Sequence, residues 1–193
     1  MAEKNKLKAI LSIYKRYNII KINTEDRPMK SITYIRHANA EGGTFSNDFA
    51  RNLSQTGRDD AFNMANIFSN ENERPDFVLS SSAFRAVQTF GYFADRLAIP
   101  KENIIYDKAL YMGNCRTVCR AIEAVSDQHN NLMIVGHNPT ISEMICRFGD
   151  VTIGNVPPCT IVKINYDADT WSLALDSVAK VAAVYYSSKF RTK

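Results

Sequence analysis

The sequence predicts an α/β fold, namely a three-layer α/β/α sandwich with a mostly parallel central sheet and an antiparallel edge strand. Strand and helix patterns alternate between residues 31 and 148, which is typical of parallel sheets with helices on both faces. Two strand patterns then follow each other directly at 160–166 and 171–176, which indicates a hairpin at the sheet edge. The length of 193 residues suffices for one domain with a substantial core.

Capping and turn signals bound the elements of this body. Ser54 is placed to cap the first helix, and Pro139 suits the first turn of the last one. A long polar loop rich in Asn, Gly and Asp lies at 38–53, between the first strand and the first helix. We expect strands at 31–36, 76–80, 103–106, 132–136, 160–166 and 171–176, and helices at 54–69, 83–97, 116–125 and 139–148.

Residues 1–29 are expected to form an N-terminal extension to a single domain at 30–193, which ends in a basic tail. The apolar residues of the extension recur at i, i+3, i+4 and i+7 on a lysine-rich background, which predicts an amphipathic helix: Leu7, Ile10, Leu11 and Tyr14. Its role and the oligomeric state cannot be derived from the sequence.

The positive charge of the chain belongs to its two ends. Residues 1–30 hold eight Lys or Arg and three Asp or Glu, and residues 180–193 hold four Lys or Arg and no acid. Because the net charge of the whole chain is only +4, the body between these ends is acidic. A nucleic-acid partner needs a basic face on the folded body, so nucleic-acid binding is not expected.

No transmembrane segment is expected, because no window holds 18 consecutive apolar residues. The N-terminus has no apolar core or cleavage site of a signal peptide, so the predicted location is cytoplasmic. The four cysteines form no CxxC pair, and no histidine pattern completes a zinc set. We therefore expect reduced structural thiols rather than disulfides or metal ligands.

Polar, chemically active residues follow three of the predicted strands. Arg36 and His37 end the first strand, Arg85 follows the second, and His137 follows the most apolar one. The carboxyl ends of parallel strands share one edge of the sheet, so two arginines and two histidines should meet in one crevice. Guanidinium groups offer paired donors to phosphoryl oxygens, and an imidazole can act as a nucleophile. The pattern predicts a phosphoryl-binding site.

These segments together resemble the histidine phosphatase superfamily, and most closely its SixA-like phosphohistidine phosphatases. The resemblance extends over residues 31–177, and the motifs occur in the family's order and spacing. A single motif of this kind is weak, but the ordered set is specific. The motifs are Arg36-His37-Ala38, Asp48 with Arg51-Asn52-Leu53-Ser54 and Gly57, Ser81-Ser82-Ala83-Phe84-Arg85-Ala86-Val87-Gln88-Thr89, and Val135-Gly136-His137-Asn138-Pro139.

The resemblance implies that His37 is the nucleophile, which takes the phosphoryl group on a ring nitrogen. Arg36, Arg85 and His137 match the remaining catalytic phosphate pocket, and neither a cofactor nor a metal is implied because fixed cations stabilise the charge. Asn39 and Arg51 flank the site in sequence; each is expected either to contact the substrate or to hold the loop.

The usual proton donors of the superfamily are missing. The stretch 109–114, where many members have a glutamate, contains no carboxylate, and Asn138 follows the second histidine where acid phosphatases have aspartate. A substrate with a good leaving group tolerates this absence, whereas sugar phosphates need the acid. Asp48 or Glu41 could supply the proton, although Asp48 is expected rather to hold Arg51 or the loop.

The sequence therefore predicts a metal-independent phosphatase that removes phosphoryl groups from phosphohistidine in proteins. A phosphatase of small phosphorylated metabolites and a non-catalytic module that binds phosphate or phosphoproteins are the alternatives. The loop at 38–53 is the only long insertion over the predicted pocket. Such an open site suits a side chain presented by another protein better than a metabolite that must be enclosed.

Overall fold

A computed structural model describes residues 20–21, 30–71, 74–149, 151–177 and 179–187. The strands are β1 (Ile20–Lys21), β2 (Lys30–Arg36), β3 (Phe77–Ser81), β4 (Ile104–Asp107), β5 (Asn131–Gly136), β6 (Ile161–Tyr166) and β7 (Ala179–Tyr185). The α-helices are α1 (Gln55–Phe68), α2 (Phe84–Leu97), α3 (Ala109–Met112), α4 (Cys115–Glu123), α5 (Thr140–Phe148) and α6 (Trp171–Ala174), and 3₁₀ turns span Phe45–Ala50 and Lys101–Asn103.

The strands form one sheet in the order β1-β7-β6-β2-β5-β3-β4. Strands β2, β5, β3 and β4 are parallel neighbours, whereas β6 is antiparallel to β2 and to β7. The predicted parallel sheet with an antiparallel edge is therefore confirmed. The two-residue strand β1 extends the edge beyond β7.

Helices cover both faces of the sheet. Side chains of successive strand residues point to opposite faces, so a buried strand contributes apolar residues to a core on each side. Leu132 and Ile134 of β5 pack into a core with α3, α4, α5 and α6, whereas Met133 and Val135 pack into a second core with α1 and α2. These two cores confirm the three-layer sandwich.

The structure differs from the predicted hairpin in the position of the second strand. Residues from Trp171 form the short helix α6, and the returning strand is β7, which begins at Ala179. The Thr170 hydroxyl accepts from the Leu173 amide at 3.2 Å, and Asp127 Oδ1 accepts from the Trp171 amide at 2.7 Å. These bonds begin a helical turn where the apolar spacing had indicated a strand, so the prediction of a strand at 171–176 is wrong.

The predicted helix in the N-terminal extension and the basic tail beyond residue 187 lie outside the described residues. Ser54 caps α1 as expected, since its hydroxyl accepts from the Gly57 amide at 3.1 Å. In the described part of the chain, no helix is both long and apolar enough to cross a membrane.

Candidate active site

The ends of β2 and β5 bring the two predicted histidines together. Arg36 lies opposite Gly136 in the parallel register, and the His37 amide donates to the Gly136 carbonyl at 3.0 Å. The ring centroids of His37 and His137 are consequently only 4.9 Å apart. One sheet edge thus holds both imidazoles.

The hydrogen bonds of His37 fix which ring nitrogen carries the proton. Nδ1 lies 2.7 Å from the Ala38 carbonyl oxygen, which can only accept, so Nδ1 is the donor. Nε2 accepts from Arg85 Nε at 3.2 Å, so its lone pair points at the guanidinium. Burial is the main reason that the pKa of His37 is lowered to about 3. The Ala38 hydrogen bond raises this pKa, whereas the nearby charges of Arg85 and Arg36 lower it. At neutral pH His37 is therefore uncharged, and Nε2 is its unprotonated nitrogen.

Arg85 lies in the first turn of α2, and its side chain is almost fully buried. Its two terminal nitrogens both bind Asp48: Nη1 donates to the Asp48 carbonyl at 2.6 Å and Nη2 to Oδ2 at 3.0 Å. The Thr89 hydroxyl donates to the Arg85 carbonyl at 2.6 Å and accepts from the Ala38 amide at 2.9 Å. This hydroxyl connects α2 to the backbone after the nucleophile.

His137 is buried, with a side-chain hydrogen bond on only one ring nitrogen. A hydrogen bond of 2.8 Å joins its Nε2 to Ser81 Oγ, whereas Nδ1 has no partner within the described part of the chain. Burial, followed by the neighbouring His37 and the Arg85 charge, holds the pKa of His137 far below its usual range. Nδ1 is thus a buried polar atom whose hydrogen-bonding capacity is unused within the described residues.

Arg36 is held by the loop before β6. Its Nη1 donates to the Val156 carbonyl at 2.6 Å and more weakly to Asn155 Oδ1 at 3.4 Å, and its Nε is buried without a partner in the described residues. The Asn138 side-chain amide donates to the same Val156 carbonyl at 3.0 Å and to Asn155 Oδ1. Asn138 thus braces the loop that holds Arg36.

Asp48 is the hub of the loop over the pocket. Besides Arg85, its carboxylate accepts from Arg51 Nη1 at 2.8 Å and from the Tyr111 hydroxyl at 2.6 Å. The Tyr111 hydrogen bond is the main reason that the pKa of Asp48 lies well below its usual range. Arg51 and Arg85 lower this pKa as well, whereas partial burial raises it. Asp48 is therefore ionised and lacks the proton that a general acid must supply, which agrees with the expectation that it holds Arg51.

The two predicted substrate-binding residues lie at the rim. The Asn39 side chain is exposed and has no hydrogen bond within the described residues, while its carbonyl accepts from the Ser54 amide at 2.9 Å. Arg51 Nε donates to the Glu41 carbonyl at 2.8 Å. In this structure Arg51 stabilises the loop, and Asn39 contributes through its backbone.

Tyr111 is the site residue that the sequence did not identify. Its ring packs edge-on against His137 at 5.5 Å and against Phe49 at 5.0 Å, and the Arg85 guanidinium carbon lies 5.5 Å from its centre. A tyrosine in the stretch that lacks the expected glutamate was the available signal. Hydrogen bonding to Asp48 raises the pKa of Tyr111, so its hydroxyl remains a donor.

A cleft of about 570 Å³ opens beside the Arg36 side of the site. It lies between the beginning of α5 and the loop at 153–155, and Asn138 and Asn155 form its wall next to Arg36. Among the described residues, no group of three or more His, Cys, Asp or Glu side chains is arranged to hold a metal ion.

The sequence matches no protein-family model and no curated protein. Solved structures are similar. A protein assigned as the phosphohistidine phosphatase SixA of Agrobacterium tumefaciens is 26% identical, with a TM-score of 0.64 over 73% of this chain and 94% of that one. Its counterpart in Nakamurella multipartitia is 20% identical, with a TM-score of 0.69 over 83% of this chain and 99% of that one. A mycobacterial glucosyl-3-phosphoglycerate phosphatase, 11% identical, has a TM-score of 0.57 over 82% and 98%.

The fold is thus that of SixA phosphohistidine phosphatases and other histidine phosphatases, as the sequence motifs predicted. Proteins with this fold act on different phosphorylated substrates. The neighbours support a phosphatase and do not distinguish a protein substrate from a metabolite.

Proposed function

We propose that this chain, which has the histidine phosphatase fold, is a metal-independent phosphatase that hydrolyses phosphohistidine in proteins. The observation that carries the proposal is the Nε2 lone pair of His37, which faces Arg85 while Nδ1 is fixed as the donor to Ala38. A neutral imidazole with one committed donor presents its other nitrogen as the nucleophile.

In the first step, Nε2 of His37 gives up its hydrogen bond from Arg85 Nε and attacks the phosphorus atom of the substrate with the freed lone pair. A bond forms between phosphorus and Nε2, and the bond to the leaving nitrogen breaks with its electron pair remaining on that nitrogen. Arg36, Arg85 and His137 surround the group and stabilise its oxygens. His137, which gains a proton beside the bound dianion, places a positive charge next to the phosphoryl group while its Nε2 donates to Ser81 Oγ.

The leaving group explains why no carboxylic acid is needed. The imidazole of phosphohistidine can carry a proton on its other ring nitrogen, and it then departs as a neutral molecule. The stretch 109–114 and Asn138 stand where a carboxylate would protonate an alkoxide, and Asn138 instead donates to Val156. A sugar phosphate lacks this internal proton, and general acid catalysis contributes roughly 10²–10⁴-fold for such substrates.

In the second step, water releases the phosphoryl group. The water oxygen attacks phosphorus, the bond between phosphorus and Nε2 breaks, and the electron pair returns to His37. Orthophosphate leaves with the water oxygen, and the second proton of the water passes to phosphate or solvent.

The test is the pair of variants His37→Ala and His129→Ala, because the chain has three histidines and His129 lies outside the pocket. We expect His37→Ala to reduce turnover of an aryl phosphate by at least about 10³-fold, as for loss of a nucleophile. His129→Ala should retain turnover. Acid quenching during turnover of a labelled substrate should trap acid-labile phosphate on wild type and on His129→Ala only. Turnover by a folded His37→Ala protein at the wild-type rate would contradict the mechanism.

The substrate is tested separately with a panel. A phosphohistidine-containing protein should be hydrolysed with a higher kcat/KM than sugar phosphates of similar charge. If the sugar phosphates are preferred, the chain is a metabolite phosphatase. If the wild-type protein binds phosphate yet forms no covalent phosphate, it is a binding module.

A further inference from the structure

The most unusual feature of the site is an anion that the chain itself supplies. Asp48 Oδ2 accepts from Arg85 Nη2 at 3.0 Å and from the Tyr111 hydroxyl at 2.6 Å, and Asp48 Oδ1 accepts from Arg51 Nη1 at 2.8 Å. A carboxylate oxygen and a phosphoryl oxygen are both anionic acceptors that bind the same kinds of hydrogen-bond donor. Oδ2 therefore marks a point where an anionic oxygen is bound beside the nucleophile.

Both terminal nitrogens of the Arg85 guanidinium are directed at Asp48, since Nη1 donates to its carbonyl at 2.6 Å. Of the five N–H groups of the guanidinium, these two and the one bonded to His37 Nε2 are engaged, and attack by His37 releases only the last of the three. A phosphoryl oxygen that takes the Nη2 donor now bonded to Asp48 Oδ2 therefore competes with that carboxylate. The Arg85 side chain is 8% exposed and that of Asp48 29% exposed, so the carboxylate is the partner that can move away into solvent.

Tyr111 is placed to remain when Asp48 leaves. Phe49 belongs to the same loop as Asp48, but the Tyr111 ring is also held edge-on by His137 at 5.5 Å, and the Arg85 guanidinium carbon lies 5.5 Å from the ring centre. His137 directly follows β5 and Arg85 lies in the first turn of α2, so neither belongs to the loop that carries Asp48. The hydroxyl is therefore preorganised toward the position that Oδ2 occupies.

We propose that Tyr111 is a further substrate-binding residue whose hydroxyl, together with Arg85, receives a phosphoryl oxygen, and that Asp48 fills this position in the ligand-free chain as an internal competitor. The inference rests on the proposed phosphoryl site. It adds a donor that the motifs do not contain and a loop that must open before substrate binds.

The alternative role of Asp48 is that of a clamp that orients Arg85 for phosphate. The two roles predict opposite changes in the affinity for phosphate when Asp48 is neutralised. A competitor that is neutralised lets phosphate bind more tightly, whereas a clamp that is neutralised makes phosphate bind more weakly. Because Asp48 and the phosphoryl group are both anionic, the competitor also repels phosphate as long as it stays nearby.

The experiment measures the affinity of the full chain for inorganic phosphate by calorimetry. We expect Asp48→Asn to bind phosphate about tenfold more tightly than wild type. Tyr111→Phe, added to Asp48→Asn so that loss of the hydroxyl does not also release a competing carboxylate, should weaken phosphate binding about fivefold, as expected for loss of one neutral donor. Asp59→Asn is the matched control: it removes the same charge from an exposed position on α1, where the carboxylate accepts only from Gln55 among the described residues, and it should leave the affinity unchanged.

The asparagine of Asp48→Asn could still occupy the pocket through its amide group. Asp48→Ala removes the acceptor oxygens as well, and it should also bind phosphate more tightly than wild type. Thermal melts verify that each variant is folded. Weaker or unchanged phosphate binding by both folded Asp48 variants would overturn the competitor, and unchanged binding on adding Tyr111→Phe to Asp48→Asn would overturn the new donor. Turnover by wild type is a separate readout: if it is present while this order of affinities fails, the proposed phosphatase stands and only the present inference falls.

Discussion

The two arginines of the pocket are held in chemically different ways. Arg36 donates to the neutral carbonyl of Val156, whereas Arg85 donates to the carboxylate and the carbonyl of Asp48. A neutral acceptor fixes the guanidinium and leaves its positive charge uncompensated. A carboxylate fixes it and neutralises it. The Arg36 side is thus ready for an anion, while the Arg85 side must first exchange one anion for another.

The largest expected effect is the loss of phosphate affinity when each arginine is replaced, measured in wild type and in the Asp48→Asn background. In wild type, we expect Arg36→Ala to weaken phosphate binding about 100-fold and Arg85→Ala only about tenfold, because loss of Arg85 also releases Asp48. In the Asp48→Asn background, Arg85→Ala should cost about 100-fold too, and the effect of Arg36→Ala should stay the same. Phosphate calorimetry on the six proteins measures both cycles. An equal effect of Arg85→Ala in the two backgrounds would show that Asp48 and phosphate do not compete.

A carboxylate introduced on the Arg36 side should make the two sides alike. Asn138→Asp removes the amide that donates to Val156 and Asn155, and it places a negative charge beside Arg36. We expect phosphate affinity to fall about tenfold, through one or two lost hydrogen bonds of about 0.5–1.5 kcal/mol each and the added repulsion.

Asn138→Ala serves as the control for that variant, because it removes the same hydrogen bonds without adding charge. Its effect should be smaller, about threefold. Equal losses in Asn138→Asp and Asn138→Ala would mean that the loop, and not the charge next to Arg36, sets the affinity on this side.

The same contrast separates what the sequence could predict from what it could not. Arg36, His37 and His137 follow directly from buried strands, and the parallel register brings strand ends together whatever the loops do. The contacts of Asp48 and Tyr111 depend instead on how the loop after β2 folds back onto α2 and α3. Residue spacing does not encode such a contact between segments 63 positions apart.

The wrong strand at 171–176 has a related cause. The apolar residues there fit either a strand or a short helix, and periodicity alone does not decide between them. The Thr170 cap and the bond from the Trp171 amide to Asp127, which is 44 positions away, decide it in favour of a helix. Long-range partners of this kind are visible only in the folded chain.

The smallest expected effect concerns how strongly each arginine acts on the nucleophile. Burial lowers the pKa of His37 to about 3, against the Ala38 hydrogen bond, and Arg85 adds more to this lowering than Arg36 does. Arg85→Ala should therefore raise the pKa of His37 more than Arg36→Ala, and neither should restore about 6.5, because the site stays buried. A ¹³C-detected pH titration of the ligand-free imidazoles measures this, with signals assigned by their absence in His37→Asn and His137→Asn.

The titration also has a consequence for stability whose sign is fixed. A folded-state pKa below the unfolded value means that the unfolded chain binds more protons between these two values. The free energy of unfolding should therefore decrease as the pH falls from about 6.5 toward about 3, and Arg85→Ala should make this decrease shallower than Arg36→Ala does. Equal shifts from the two variants would mean that the arginines act on His37 alike despite their different anchors. A wild-type titration near 6.5 would show instead that water reaches the nucleophile and that neither anchor controls it.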